Sequence, residues 1–512
     1  MVGSLQFTVT NRELLMIINR RNLLLGTAAS SVSCMAVGSL AQATPRALPL
    51  LPVTDLTDGI EGRIALSLAA GAHDFGNGVK SDTFGINGTY LGPVLRVKQG
   101  QVLPFDVLNT INAPSTLHWH GLHIPGDVDG GPHQEIAPGT TWSPDVPIRQ
   151  SASMNWFHSH QHGRTASQVY KGLAGIMLIE DDASLSADLP KTYGVDDLTL
   201  VLQDKAFNDD GTLHYGLTAA ALEDGFLGDT IVINGVIAPV EQIVPSGLVR
   251  LRILNACNGN FLTLSMANGP LHVVASDGGF LPSTVQTDAL VMSPGERYEV
   301  LVDMRQADTN QLMVSHSLPE GTGLSGFLAE LFRGGDPNVS ALTLRRSNTV
   351  GFDGAIPNRL ANLAPPDRTK ATNTRSFTLR MNASADLDAI ALADGEFCGN
   401  LDAMHINGRP MDMDRIDETV RKGETEIWRV RVDDLRHPFH IHGCSFRILS
   451  ADGGAAPAYA QGWKDMVHVS DNSWSEVLVR FDHDAPEHAP YMYHCHILEH
   501  EDCGMMGQFT VG

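Results

Sequence analysis

Three stretches of this chain echo one another at domain-sized intervals. GINGTYLGPVLRVKQGQ (85–101), VINGVIAPVEQIVPSGL (232–248) and HINGRPMDMDRIDETVRKGE (405–424) each run Ile-Asn-Gly, a short turn, an alternating strand and a glycine. Asn-Gly is a turn signal, and the flanking residues alternate with the period of two that half-buried strands show. Copies this far apart mark whole domains rather than the short units of a solenoid. The expected fold is therefore all-β: three Greek-key β-sandwich domains over 44–182, 196–350 and 374–512, with joints near 183–195 and 350–373. The second joint, IPNRLANLAPPDRTKATNTR, is proline-rich and polar, as a linker should be. Fifty glycines and 27 prolines in 512 residues agree with many short strands and turns, and the length exceeds what one ordinary core can organise.

A formal charge of −23 excludes nucleic acid as a partner, because most of the surface would repel a phosphate backbone. The first 43 residues read as an export signal. NRRNLLLG sets Arg20 and Arg21 before a mild apolar run that ends in Ala41-Gln42-Ala43, a small-x-small cleavage pattern. This predicts transport by the twin-arginine translocase, a mature chain beginning near Thr44 and a periplasmic location. Met16 is a candidate start, since residues 1–15 extend unusually far upstream of the arginine pair. The run is too rich in Ser, Gly and Ala to hold in a bilayer, so no stable membrane anchor is expected. Cys34 has no leucine three residues before it, which argues against a lipid anchor.

Ten of the 21 histidines occupy motif positions in four short stretches: HWHG (His118, His120), HSHQHG (His158, His160, with His162 outside the spacing), HPFHIHG (His437, His440, His442) and HCHILEH (His494, His496, His500). Residues two apart on a strand share a face, so each His-x-His can offer two imidazoles to one site while the residue between points away. In the last stretch that parity sends Cys495 to the opposite side from His494 and His496. Cys495 has His437, His500 and Met505 at suitable spacing. Two imidazoles, a thiolate and a distant thioether form the ligand set of a blue-copper electron-transfer centre; zinc has little use for the thioether. Aligning the first domain on the third by their histidine pairs puts Ser115 opposite His437, Ser159 opposite Cys495 and Arg164 opposite His500. The first domain thus keeps the paired histidines and lacks the blue-copper set, and the second has neither. The shared cluster is expected between domains one and three.

Those four stretches, in their order and spacing, closely resemble the multicopper oxidases, which include laccases, bilirubin oxidases and periplasmic copper efflux oxidases. The resemblance spans Thr44 to the C-terminus and implies cupredoxin-like domains and four copper ions. It implies that His118 and His440 hold a type 2 copper, that His120, His158, His160, His442, His494 and His496 hold a type 3 pair, and that His437, Cys495, His500 and Met505 hold a type 1 copper. It further implies a small reductant oxidised at the type 1 copper, dioxygen reduced to water at the trinuclear cluster, and a link between the two through Cys495 and its neighbours His494 and His496. Asp129 and Glu501 align with proton-relay acids of the family, although Asp129 could equally be a turn residue and Glu501 a surface charge. The protein is expected to act as a monomer.

Two other classes compete. A dinuclear zinc hydrolase also uses His-x-His but needs bridging carboxylates and has no place for Cys495 with Met505. A non-catalytic periplasmic scaffold or copper-storage protein would share the fold, though here every ligand position is filled. The substrate is open between phenols or aromatic amines and Cu(I) oxidised for copper tolerance. Copper efflux oxidases carry a Met- and His-rich segment before the last ligand strand, whereas this chain has no Met from 314 to 380 and no His from 317 to 404. Their substrate-copper acid is kept as Asp433, but the methionine position holds Leu435. The edge of His500 or His437 is then expected to be open to bulky phenols, unless Met411 and Met413 fold over the site. His123, His133 and His162 read as packing or polar residues, and Met506 as core. Cys257, Cys398, Cys444 and Cys503 suit a disulfide whose pairing the sequence does not give.

Overall fold

The three Asn-Gly turns carry the same local structure. Asn87, Asn234 and Asn407 adopt φ of 56°, 48° and 55°, the left-handed region that asparagine tolerates better than other side-chain-bearing residues. Each carboxamide then staples a neighbouring strand. Its Oδ1 accepts from the backbone N of Ser67, Val201 or Thr378, and its Nδ2 donates to the carbonyl of Ala65, Thr199 or Ser376. The stapled strands, Ile64–Asp74, Asp197–Phe207 and Asn373–Met381, each pair in parallel with a following strand, Val102–Asn109, Leu248–Asn255 or Thr425–Val432. The threefold repeat of the sequence is thus a threefold repeat of hydrogen bonding.

This computed structural model describes residues 46–316, 338–382, 384–393, 398, 401–433, 435–470 and 473–512. The arginine pair, the apolar run and the cleavage pattern lie outside the described residues. Among those described, no helix is long and apolar enough to cross a membrane.

Six sheets stack in pairs as three β-sandwiches. In the first, the sheet containing Val94–Lys98, Ala174–Glu180, Ser153–His158 and His118–His120 faces the sheet containing Ile64–Asp74 and Val102–Asn109. The third repeats the plan, with Met506–Val511, Tyr491–Cys495, His437–Ile441 and Met466–Val469 facing Asn373–Met381, Thr425–Val432 and Ser475–Arg480. The short strand Arg46–Ala47 precedes the first sandwich in the chain but pairs with Val240–Ser246 of the second.

Each sandwich has its own core. Phe105 stacks on Trp119 at 4.5 Å in the first, and Trp428 meets Phe377, Phe509 and Tyr493 in the third. Each fully buried large side chain of this kind contributes about 1.5–3 kcal/mol relative to exposure. A further cluster of Met154, Trp156, Ile176, Val201, Leu254 and Leu498 joins side chains of all three domains. Cys398 and Cys503 form a disulfide, and Cys257 and Cys444 are buried thiols.

Candidate metal centre

Strand pairing brings the histidines together within each domain. His158 lies opposite His118 in the first, and His440 opposite His494 in the third. The two histidine faces then meet across the domain boundary. His118 stacks on His442 at 3.9 Å between ring centroids, and His120 stacks on His440 at 3.8 Å, so the two domains approach as a pseudo-twofold pair. His160 lies 3.3 Å from His494 through their Nε2 atoms, and the ring of His496 is 5.1 Å from that of His120. The histidines of the four His-x-His pairs are all at most 1% exposed. Their ring nitrogens form overlapping triads, including His118, His120 and His158; His118, His440 and His442; and His160, His442 and His494, with the donor atoms of each triad within 4.8 Å of one another.

Backbone carbonyls set the ring orientations, again in matched pairs. Nδ1 of His118 donates to Asp129 O at 3.0 Å and Nδ1 of His440 to Asp465 O at 2.8 Å; His158 and His494 donate to Ser159 O and Cys495 O, both at 2.8 Å. This fixes the tautomer and directs the Nε2 lone pair inward, as second-shell bonds do for ligating imidazoles. Nε2 of His118, Nε2 of His440 and both ring nitrogens of His496 are buried without a hydrogen-bond partner among the described residues. Buried polar atoms normally have partners, and a cation between these rings would supply one. Burial first, and the neighbouring imidazoles second, hold His120, His158, His440 and His442 well below the usual histidine range, and push His496 down to about 3. These five rings are therefore held towards the neutral form, which is the ligating one. An all-imidazole pocket of this kind suits copper.

On the other face of the Tyr491–Cys495 strand, Cys495 Sγ lies 3.2 Å from His437 Nδ1 and 3.8 Å from His500 Nδ1, and the two nitrogens are 3.2 Å apart. Met505 is fully buried and its carbonyl accepts from Cys495 N at 3.1 Å. Three soft or borderline donors converge here, as a blue-copper site requires. The Cys398–Cys503 disulfide anchors the same segment two residues before Met505. In the first domain the equivalent position is closed by hydrogen bonds: Ser115 and Ser159 both donate to Gln168 Oε1, at 2.8 and 2.5 Å.

The expectation of an open histidine edge does not hold. His437 is 2% and His500 1% exposed, and Nε2 of His500 donates to the carbonyl of Glu223 at 3.1 Å. The covering element is the helix Ala219–Asp224 of the second domain, capped by Thr218 and ended by Gly225 at φ 82°. Gly225 is required there, because a Cβ would come within 2.7 Å of Ile497 Cγ2. Met411 and Met413 do not cover this centre either. They pack with Met492 and Met506, which register places on the His494 face of the sheet, opposite to Cys495. Asp433 is exposed and pairs with Arg431 at 3.5 Å, while Leu435 is half-buried.

Both aligned acids meet the cluster. Asp129 Oδ2 is 2.7 Å from His442 Nδ1 and 3.3 Å from His118 Nδ1. Glu501, 1% exposed, lies 3.2 Å from His160 Nδ1 and 3.1 Å from His494 Nδ1, at angles that make these electrostatic contacts rather than good hydrogen bonds. Neither is a surface charge. Sequence reading missed Asp465, the pseudo-twofold counterpart of Asp129. Its carbonyl orients His440, its Oδ1 lies 3.2 Å from His120 Nε2, and both its oxygens accept from Arg297 of the second domain at 2.6 Å. It missed Asp502 as well, which accepts from the backbone N of Thr165 and Ala166 at 2.9 Å and docks the third domain on the first. His123 bonds Ser445 and His133 bonds Gln508, both polar roles as expected.

Profiles described as multicopper oxidase match residues 68–184, 197–326 and 375–512. The chain is 36% identical to cell division protein FtsP of Yersinia pestis over 93% of this chain and 95% of that one. It is also 36% identical to FtsP of Escherichia coli K12, over 90% and 92%. Among solved structures it resembles a laccase-like multicopper oxidase, CueO, from Ochrobactrum sp. at 40% identity and TM-score 0.81, covering 91% of this chain and all of that one. The McoA multicopper oxidase of Aquifex aeolicus follows at 29% identity and TM-score 0.78, over 92% and 100%. With its three matching domains and these full-length relatives, the chain belongs to the multicopper oxidase family.

Proposed function

We propose that the protein is an oxidase that removes single electrons from small reductants and reduces dioxygen to water, using four copper ions in a chain divided as 44–182, 196–350 and 374–512. In this reading His437, Cys495, His500 and Met505 hold the type 1 ion, His118 and His440 the type 2 ion, and His120, His158, His160, His442, His494 and His496 the type 3 pair. The observation that carries it is the inward Nε2 of His118 and of His440, one from each domain and both without a partner among the described residues, beside a separate set of one cysteine and two imidazoles. Bound copper would supply one-electron redox chemistry, and the three cluster ions together with the type 1 ion would hold the four electrons that dioxygen needs to reach water without release of peroxide. The chain supplies the rest. Cys495 joins one centre to the other through its peptide neighbours His494 and His496. Asp129 Oδ2, bonded to His442 Nδ1, and Glu501, between His160 and His494, are placed to hold protons beside the cluster.

The related Ochrobactrum enzyme is described as active towards lignin model compounds and lignosulfonate, which favours phenols or aromatic amines as substrates, with Cu(I) as an alternative. We further propose that the protein is exported by the twin-arginine translocase and works as a periplasmic monomer without a membrane anchor. Oxygen uptake by copper-loaded protein, with four electrons drawn from the reductant per dioxygen, tests the activity. The names of the FtsP relatives support a second reading, a role in cell division; copper-loaded protein that consumes no oxygen with phenols, aromatic amines or Cu(I) would select it over the oxidase reading. Export is tested by the N-terminus of periplasmic protein, expected at Thr44. A chain still carrying Arg20 would show retention of the leader.

A further inference from the structure

Between the first and third sandwiches lies a cavity of about 860 Å³, within the range of small-molecule sites. Its wall includes Arg149, Lys370, Arg447 and Arg480 against Asp367 and Asp482. This is a net positive lining in a chain of formal charge −23. The two acids are already engaged: Asp482 accepts from Arg480 Nε at 2.7 Å, and Asp367 from Thr369 N and Oγ1 at 3.0 and 2.6 Å. His123 brings no charge, since burial pushes it down to about 4.

Arg447 is the unusual member. It is 8% exposed, and among the described residues its guanidinium donates only to neutral acceptors, Ala364 O at 3.0 Å and Gln461 O at 2.7 Å. No carboxylate pairs with it among the described residues, and burial alone lowers its pKa with nothing opposing. A buried charge without a counter-charge is unfavourable, and the other buried arginines of this protein avoid it: Arg297 pairs with Asp465, Arg252 with Asp197, and Arg250 with Glu299. Beside Arg447 stands Trp463, 39% exposed, with the guanidinium carbon 5.5 Å from its ring. The cavity therefore offers an unneutralised cation, further basic groups at the exposed rim and a flat apolar surface. Aromatic faces stack on such a surface, and a guanidinium matches a carboxylate.

We propose that this cavity binds an aromatic carboxylate, with the carboxylate facing Arg447 and the ring against Trp463. The site is separate from the copper ligands and does not rest on the oxidase reading. Benzoate is the probe, with benzamide as its neutral analogue and benzylammonium as its cationic one, titrated into copper-loaded mature protein by calorimetry and by Trp fluorescence. The expected result is saturable benzoate binding with one site per chain, at least about tenfold tighter than either analogue, and lowered at least about tenfold in Arg447→Gln. Should Arg447→Gln fail to fold, the exposed rim variant Arg149→Gln/Lys370→Gln decides: benzoate binding should weaken and lose much of its salt dependence. Benzoate that does not saturate, benzamide that binds as tightly, or affinity unchanged in the variant that folds would overturn the assignment.

Discussion

Nε2 of His500 donates to the carbonyl oxygen of Glu223 at 3.1 Å. One ring thus offers Nδ1 to the cysteine-centred site and is tied through its other nitrogen to a helix of the second domain. If the protein works as proposed, an electron bound for His500 would have to cross that helix, since only 1% of the residue is exposed.

Electron transfer weakens steeply with distance, so the helix Ala219–Asp224 should discriminate by size. Hydroquinone should be oxidised with kcat/KM at least about tenfold above that of a bulky biphenolic substrate, and replacing 219–224 by a Gly/Ser linker should narrow the gap. Met411→Leu/Met413→Leu should leave Cu(I) oxidation unchanged, because those thioethers pack on the opposite face of the sheet. Steady-state rates for the three reductants check both statements; a Cu(I) rate lost in the double variant would show that the methionines serve the reductant side after all.

Cys495→Ser should abolish the blue absorption and all oxidase turnover while leaving the trinuclear copper in place. The first domain shows why the fold tolerates it: Ser159 occupies the equivalent position and is satisfied by Gln168. Absorption spectra with copper analysis test this, and a variant that remains blue would remove Cys495 from the ligand set.

Asp129→Asn keeps the shape of the contact to His442 Nδ1 but removes the carboxylate's capacity to take up a proton. Turnover should fall by about 10² or more, with copper content and colour retained. Loss of copper in parallel with activity would instead make Asp129 an orienting residue for His118 and His442.

What the sequence made legible follows from range. The paired histidines, Cys495 and the Asn-Gly turns are set by neighbours within a few residues, where strand parity and turn chemistry act. The matching serines, Ser115 and Ser159, were legible for the same reason, once the domains were aligned on their histidine pairs. Asp465 was not, because its meaning comes from Arg297, 168 residues away, and no local pattern marks either one. The helix over His500 escaped as well. It spans only six residues, too short for a periodic signal, and it comes from the domain that carries no ligands.

That contribution of the second domain gives the last test. Arg297 and Asp465 are both fully buried and joined by two bonds of 2.6 Å, and Asp465 touches His120 and orients His440. In Arg297→Met the Asp465 carboxylate would stay buried without its partner, a loss of about 3–5 kcal/mol where such pairs are broken on one side. The carboxylate should then turn from its present position and release His120, so the trinuclear site should lose copper while the cysteine centre, on the far face of the third domain's strand, keeps its colour. Arg297→Lys should restore part of the stability, since it returns the charge without the planar fork. Thermal unfolding combined with copper stoichiometry measures both effects, and a variant with full copper and unchanged stability would reduce the second domain to a spacer.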